Sequence, residues 1–182
     1  NLNNPFNEST TSYHHNSIGG YHAAKLLRYQ ELIDNQISKE LQRIINNFPI
    51  REYHQLKMTL KNLPKSEAFD VKLHNENVIR KKQINAEINK IQDSWNFSDI
   101  LNMLNTRYII YDPTADPIIN KESLGNAWFV NDVIPVKNAN EEMDSLDSFN
   151  PATTAIIDDR FLDRYSVPIK ENDATISLDL ES

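Results

Sequence analysis

The feature that most constrains this chain is a change of hydrophobic period near residue 104. Before it, apolar side chains recur at spacings of three and four. Leu26, Tyr29, Ile33, Ile37, Leu41, Ile44 and Phe48 fall on one face of a helix predicted from about Tyr21 and stopped by Pro49. Tyr53, Leu56, Leu60 and Leu63 give a second stripe from about Ile50, ended by Pro64. Ile84, Ile88, Ile91 and Trp95 mark a third, from about Asn77, and Ser98 or Asn96 can cap a short helix holding Ile100, Leu101 and Leu104. After it come short β-branched and aromatic runs: Tyr108–Tyr111, Ala127–Val130, Val133–Val136 (an edge, because of Pro135), Thr154–Ile157 and Thr175–Leu178. A brief helix from Glu141 to about Phe149, capped by Asn140, separates them. A helical half (about 21–104) followed by a strand-rich half predicts an α+β fold with a small, mostly antiparallel sheet. Phe69, Val71 and Leu73 alternate like a strand inside helical surroundings, so residues 65–75 stay open between the two.

The 182 residues suffice for one domain with a sizeable core. A formal net charge of −7 argues against a nucleic-acid partner, which selects a basic face. Arg80-Lys81-Lys82 reads as a solvated helix face. With no cysteine there is neither a disulfide framework nor a thiolate metal site. No apolar run approaches the ~20 residues that span a bilayer. The chain opens at Asn1 within a polar stretch, and the expectation is a domain cut from a larger protein.

Candidate chemistry gathers near the N-terminus, in a region predicted to be an irregular loop up to residue 19. His14, His15 and His22 could serve a divalent metal, but adjacent histidines point apart in a strand and the spacing suits no helical pair. Surface or packed histidines are the plainer reading. Gly19-Gly20 directly precedes the predicted first helix, where unpaired amides and the dipole favour an anion. Lys25 and Arg28, with Tyr13, Tyr21 and His22 beside them, would suit an anionic or sugar-phosphate group. The alternative is a turn that needs positive φ, with both cations on a solvated face. Asp112, Asp116, Asp158 and Asp159 lie near strand ends, where paired carboxylates can act as acid and base, or where acids merely solubilise a loop. Trp128 and Phe129 read as core residues rather than a sugar-stacking platform. Asn7-Glu8-Ser9 and Asn96-Phe97-Ser98 fit the glycosylation pattern and carry little weight. No cofactor motif is present in the sequence.

Four ordered segments carry a family resemblance: Ser12–Lys25 (SYHHNSIGGYHAAK) continuing through Arg28–Asp34, Leu101–Ile110 (LNMLNTRYII), Leu124–Val130 (LGNAWFV), and Phe149-Asn150-Pro151 leading into Ala155–Asp158. Together they resemble the large extracytoplasmic region of YfhO-type bacterial membrane proteins, particularly the Bacteroidetes-like branch. The resemblance covers most of the chain; residues from about 50 to 95 match nothing specific and read as a helical insertion.

The resemblance implies a piece of a multi-pass protein similar to GT-C glycosyltransferases, which move sugars from polyprenyl-phosphate carriers outside the cytoplasm. The implied location is the periplasmic face of the cell membrane. The implied partners are the protein's own transmembrane region and a polyprenyl-phosphate-linked sugar or glycan acceptor. The catalytic carboxylate of such enzymes is expected in a loop between early membrane helices, outside this chain, so no catalytic residue is carried over. The substrate-contacting candidates are Tyr13, His14, His15, Gly19, Gly20, Tyr21, His22, Lys25 and Arg28. Two other roles stay open: a packing module for the protein's own membrane helices, and a free-standing metal hydrolase using the three histidines.

Overall fold

Three successive steps of four, from Tyr29 through Ile33 and Ile37 to Leu41, run about one residue ahead of the 3.6 residues per turn of an α-helix. The computed structural model, which describes residues 5–22, 24–64 and 71–164, absorbs that excess in a π turn. Helix α2 (Leu27–Leu32) passes into the π turn Ile33–Ile37 and then into α3 (Ser38–Asn47), which keeps Ile33, Ile37 and Ile44 on one buried face. The run begins at Leu27, not Tyr21. The described residues between 15 and 26 form no helix, and a short α1 (Thr10–His14) lies in the predicted loop, with Glu8 accepting from the amides of Thr10 (2.7 Å) and Thr11 (3.3 Å).

Helices α4 (Ile50–Lys61) and α5 (Val71–Asp93) pack together, and Tyr53, Ile84 and Ile88 enter the same core as Ile37, Phe48 and Leu101. The stretch read as an insertion therefore shares one hydrophobic core with its flanks. Leu73 lies in α5, which settles the strand-like alternation at that position as helix; residues 65–70 lie outside the described part. Two buried polar groups tie the helices. Glu40 accepts from the Arg43 guanidinium (2.6 and 2.7 Å) and from the Ser98 amide (3.0 Å), while Arg43 also covers the Trp95 ring at 4.4 Å. The Tyr53 hydroxyl donates to the Pro117 carbonyl (3.2 Å) and accepts from Gln92 (3.3 Å).

Ser98 caps α6 (Asp99–Met103) as expected, its Oγ accepting from the Leu101 amide. The helix closes in a Schellman arrangement. Thr106 N donates to Leu101 O and Asn105 N to Asn102 O, with Asn105 at φ 53°, a conformation asparagine tolerates. Buried Asn102 and Asn120 then join through their side chains at 2.8 Å.

The chain is α+β, and its described residues form two two-stranded sheets in place of one mostly antiparallel sheet. Strands β1 (Tyr108–Ile109) and β2 (Ile118–Ile119) pair antiparallel. Strands β3 (Asp132–Val136) and β4 (Thr154–Asp158) pair parallel, because α7 (Ala139–Ser145) carries the chain back between them. A 3-10 turn, Asp159–Arg164, follows. The cap of α7 is Asn138, which accepts from the amides of Asn140 and Glu141, not Asn140 as the sequence suggested. Ala127–Val130 is no strand: backbone bonding toward β4 begins only at Asn131, whose amide donates to Thr153 O. The expected strand Thr175–Leu178 lies outside the described residues.

Candidate functional site

The predicted substrate-contacting segment folds back on the chain's own N-terminus. Gly20 N donates to Pro5 O (2.7 Å) and Tyr21 N to Glu8 O (3.0 Å). A Cβ at Gly19 would sit 2.4 Å from the Pro5 carbonyl oxygen, and Gly20 stands at φ +119° with Ser12 beside it. Both glycines are thus accounted for by an intrachain turn, not by the start of a helix, which comes seven residues after Gly20. Lys25 lies outside that helix and donates to Phe6 O (3.1 Å), with its ammonium over the Phe6 ring. His22 accepts the Ala24 amide at Nδ1. Tyr13, His14, His15, Tyr21 and His22 are exposed. Of the nine predicted contact residues, Arg28 lines an apolar cavity.

That cavity, about 530 Å³, opens between α2, the 127–130 segment, α7 and β4. All four resembling segments contribute to its wall. Arg28, Tyr29 and Leu32 come from the first, Met103 from the second, Trp128 and Val130 from the third, and Phe149, Pro151 and Ile156 from the fourth. Helix α7 and its C-cap add Met143 and Leu146, three residues apart, with Glu142 beside them. These three were not singled out in the sequence, although the Met143–Leu146 spacing is the ordinary sign of an inward-facing stripe. Trp128 is oriented by its indole N–H, which donates to Pro151 O (2.7 Å), and its ring forms wall rather than core. Phe129 is exposed, contrary to its reading as a core residue.

The lining is mostly apolar, with polar groups held at the edge, and the volume lies in the range of small-molecule sites. Arg28 pairs with Glu142. Tyr29, whose hydroxyl donates to the Ile18 carbonyl, is pushed up in pKa by burial. Buried Asp158, at the end of β4, accepts from the Arg160 backbone (3.1 Å) and guanidinium (2.6 and 2.9 Å). Hydrogen bonds from Arg160 bring its carboxyl down to about 2, with the Arg28 charge adding a smaller pull. Asp158 and Arg160 lie outside the lining, whose charged residues are the paired Arg28 and Glu142, with Arg28 as the cation.

The other candidates have separate partners. Asp112 folds back on Thr114, whose hydroxyl and amide both donate to it at 2.7 Å and hold its carboxyl below the ordinary value. Asp116 pairs with Lys57 at 3.7 Å. No group of three or more metal-ligating side chains stands together among the described residues, which leaves His14, His15 and His22 without the arrangement a hydrolase centre requires. No helix among them is long and apolar enough to cross a membrane. No family model, curated protein or solved structure matches this chain.

Proposed function

We propose that this chain is the extracytoplasmic domain of a YfhO-type multi-pass membrane protein, and that it positions a polyprenyl-phosphate-linked substrate rather than performing bond chemistry. The observation that carries the reading is the convergence of the four resembling segments, scattered from residue 28 to residue 156, on one apolar cavity with Arg28 at its edge. A hydrocarbon chain suits such a wall through burial of apolar surface, and a phosphate suits the guanidinium through charge-assisted hydrogen bonds. The contact site is accordingly moved from Tyr13–Lys25 to the cavity.

Titration of the chain with a short, water-soluble polyprenyl phosphate, followed by tryptophan fluorescence, tests this. Saturable quenching is expected, weakened roughly tenfold or more by Arg28→Ala, since a charge-assisted bond contributes about 1.5–3 kcal/mol. Lys25→Ala and His22→Ala, outside the cavity, should bind like the parent chain. Absence of saturable binding would remove the substrate role.

One observation favours a second reading, that of a module packing on its own membrane helices. The Tyr13–His22 segment is largely exposed, as a surface awaiting another part of the same protein would be. Wild-type transfer by a full-length protein carrying Arg28→Ala and Trp128→Ala would favour that reading over substrate positioning.

A further inference from the structure

The strongest unassigned surface is formed by the turn that Gly19 and Gly20 make possible. From Ser9 to Gln30 the chain holds no Asp or Glu, although the whole carries 26 acids against 19 Lys and Arg. The same stretch contains Lys25, Arg28 and three of the five histidines. It also holds the four most exposed large hydrophobic residues among the described ones: Tyr13 is 85%, Leu26 80%, Leu27 73% and Tyr21 63% exposed. The fold brings these together. Gly20 meets Ser12, which places Tyr13 and Tyr21 on either side of one contact, and Lys25 is tied back to Phe6 at the base of the same turn. Lys25 has no ion-pair partner among the described residues; its ammonium donates to Phe6 O and lies over the Phe6 ring. Arg28 is offset by Glu142, and Glu8 at the margin is occupied by the amides of α1.

Isolated exposed leucines need no explanation, but two adjacent ones in an acid-free stretch with two exposed tyrosines and a lysine do. Tyrosine suits the boundary between water and acyl chains, because its ring is apolar and its hydroxyl wet. Lysine near an anionic surface adds attraction that falls off within a Debye length. We propose that this patch, built on Tyr13, Tyr21, Lys25, Leu26 and Leu27, is a peripheral contact with an anionic lipid surface, inserting its apolar side chains at headgroup depth. The occupant is chosen by charge complementarity: in an acidic protein, the longest stretch without Asp or Glu is the one that exposes Leu26 and Leu27 beside Lys25. Leu26 also lines the cavity, whereas Tyr13, Tyr21, Lys25 and Leu27 do not, so variants at those positions separate the two proposals.

Co-sedimentation of the full 182-residue chain with phosphatidylglycerol vesicles, against vesicles of phosphatidylcholine alone, tests it. Binding to the anionic vesicles is expected, falling as salt rises, with little on phosphatidylcholine. The double variant Tyr21→Ser/Leu27→Ser should lose roughly tenfold or more in partitioning, and Lys25→Gln should flatten the salt dependence. Trp128→Ala, which alters only the cavity, should partition like the parent chain, while Tyr21→Ser/Leu27→Ser should still bind short polyprenyl phosphate. No binding to anionic vesicles, or binding that Tyr21→Ser/Leu27→Ser leaves unchanged, would overturn the proposal. So would a concentration-dependent dimer that the same variant abolishes, which would assign the patch to a second copy of the chain.

Discussion

Gly19 shows how a residue can be prominent in the sequence for a reason other than the one first suspected. Two glycines before an apolar period resemble an anion-binding helix start, and the chain instead uses them to bring its backbone against Pro5 and Ser12. Gly19→Ala should force the Pro5 carbonyl away and cost about 1–3 kcal/mol in the N-terminal turn. Faster hydrogen exchange at the Gly20 and Tyr21 amides, with the α5 amides unchanged, is the expected readout. Glu40 is a buried carboxylate satisfied by three donors from Arg43 and Ser98. Glu40→Ala should therefore lower stability by about 2 kcal/mol, measured by urea unfolding. Asp158 titrates at about 2 when folded, below the ~3.9 of an unfolded aspartate. Its contribution is complete above the unfolded value and is lost as pH falls from about 4 toward 2. Asp158→Asn should be less stable than the parent chain near pH 6, and the gap should close near pH 2. A constant gap across that range in thermal unfolding would contradict the assignment.

At the scale of elements, what was legible in the sequence is what periodicity encodes. The stripes of Ile33, Ile37, Ile44 and Phe48, and of Ile84 and Ile88, are buried as their spacing requires, and Ser98 caps where a side-chain acceptor was expected. The α+β order follows from the same change of period. What periodicity leaves open is where an element begins and what it pairs with. Leu26 fits the stripe of α2 and yet is exposed, because the helix begins only at Leu27 and the chain before it is turned back by the Gly20–Pro5 and Tyr21–Glu8 backbone bonds and the Lys25 side chain on Phe6. Ala127–Val130 has strand composition, but Trp128 spends its polar atom on Pro151, and the ladder starts beyond it. The direction of β3 against β4 depends on the intervening α7, a tertiary fact that neither strand carries alone. Ile118–Ile119 is too short to announce a strand and becomes one by pairing with Tyr108–Ile109.

For the whole molecule, the convergence of segments matters more than any one of them. Four stretches separated by helices and strands meet at one cavity, and their meeting required α7, which none of them includes. The predicted site was thus partly legible. Arg28 was named for its charge, while Tyr29, Met103, Trp128, Phe149 and Pro151 were present in the resembling segments without any sign that they would face one another. Spatial juxtaposition across more than a hundred residues is a property of the fold, and a single sequence states it only through resemblance. The same folding places the exposed leucines at the cavity's edge, since Leu26 belongs to the cavity wall and adjoins Leu27 on the proposed lipid-facing patch.

The most direct test of the account is to map, by nuclear magnetic resonance, which groups respond when short polyprenyl phosphate is added to the chain. The cavity assignment predicts saturable shifts at the Trp128 indole N–H and the methyl groups of Met103 and Met143, all abolished or strongly weakened by Arg28→Ala. Shifts confined to Tyr13–His22, or none at all, would contradict it.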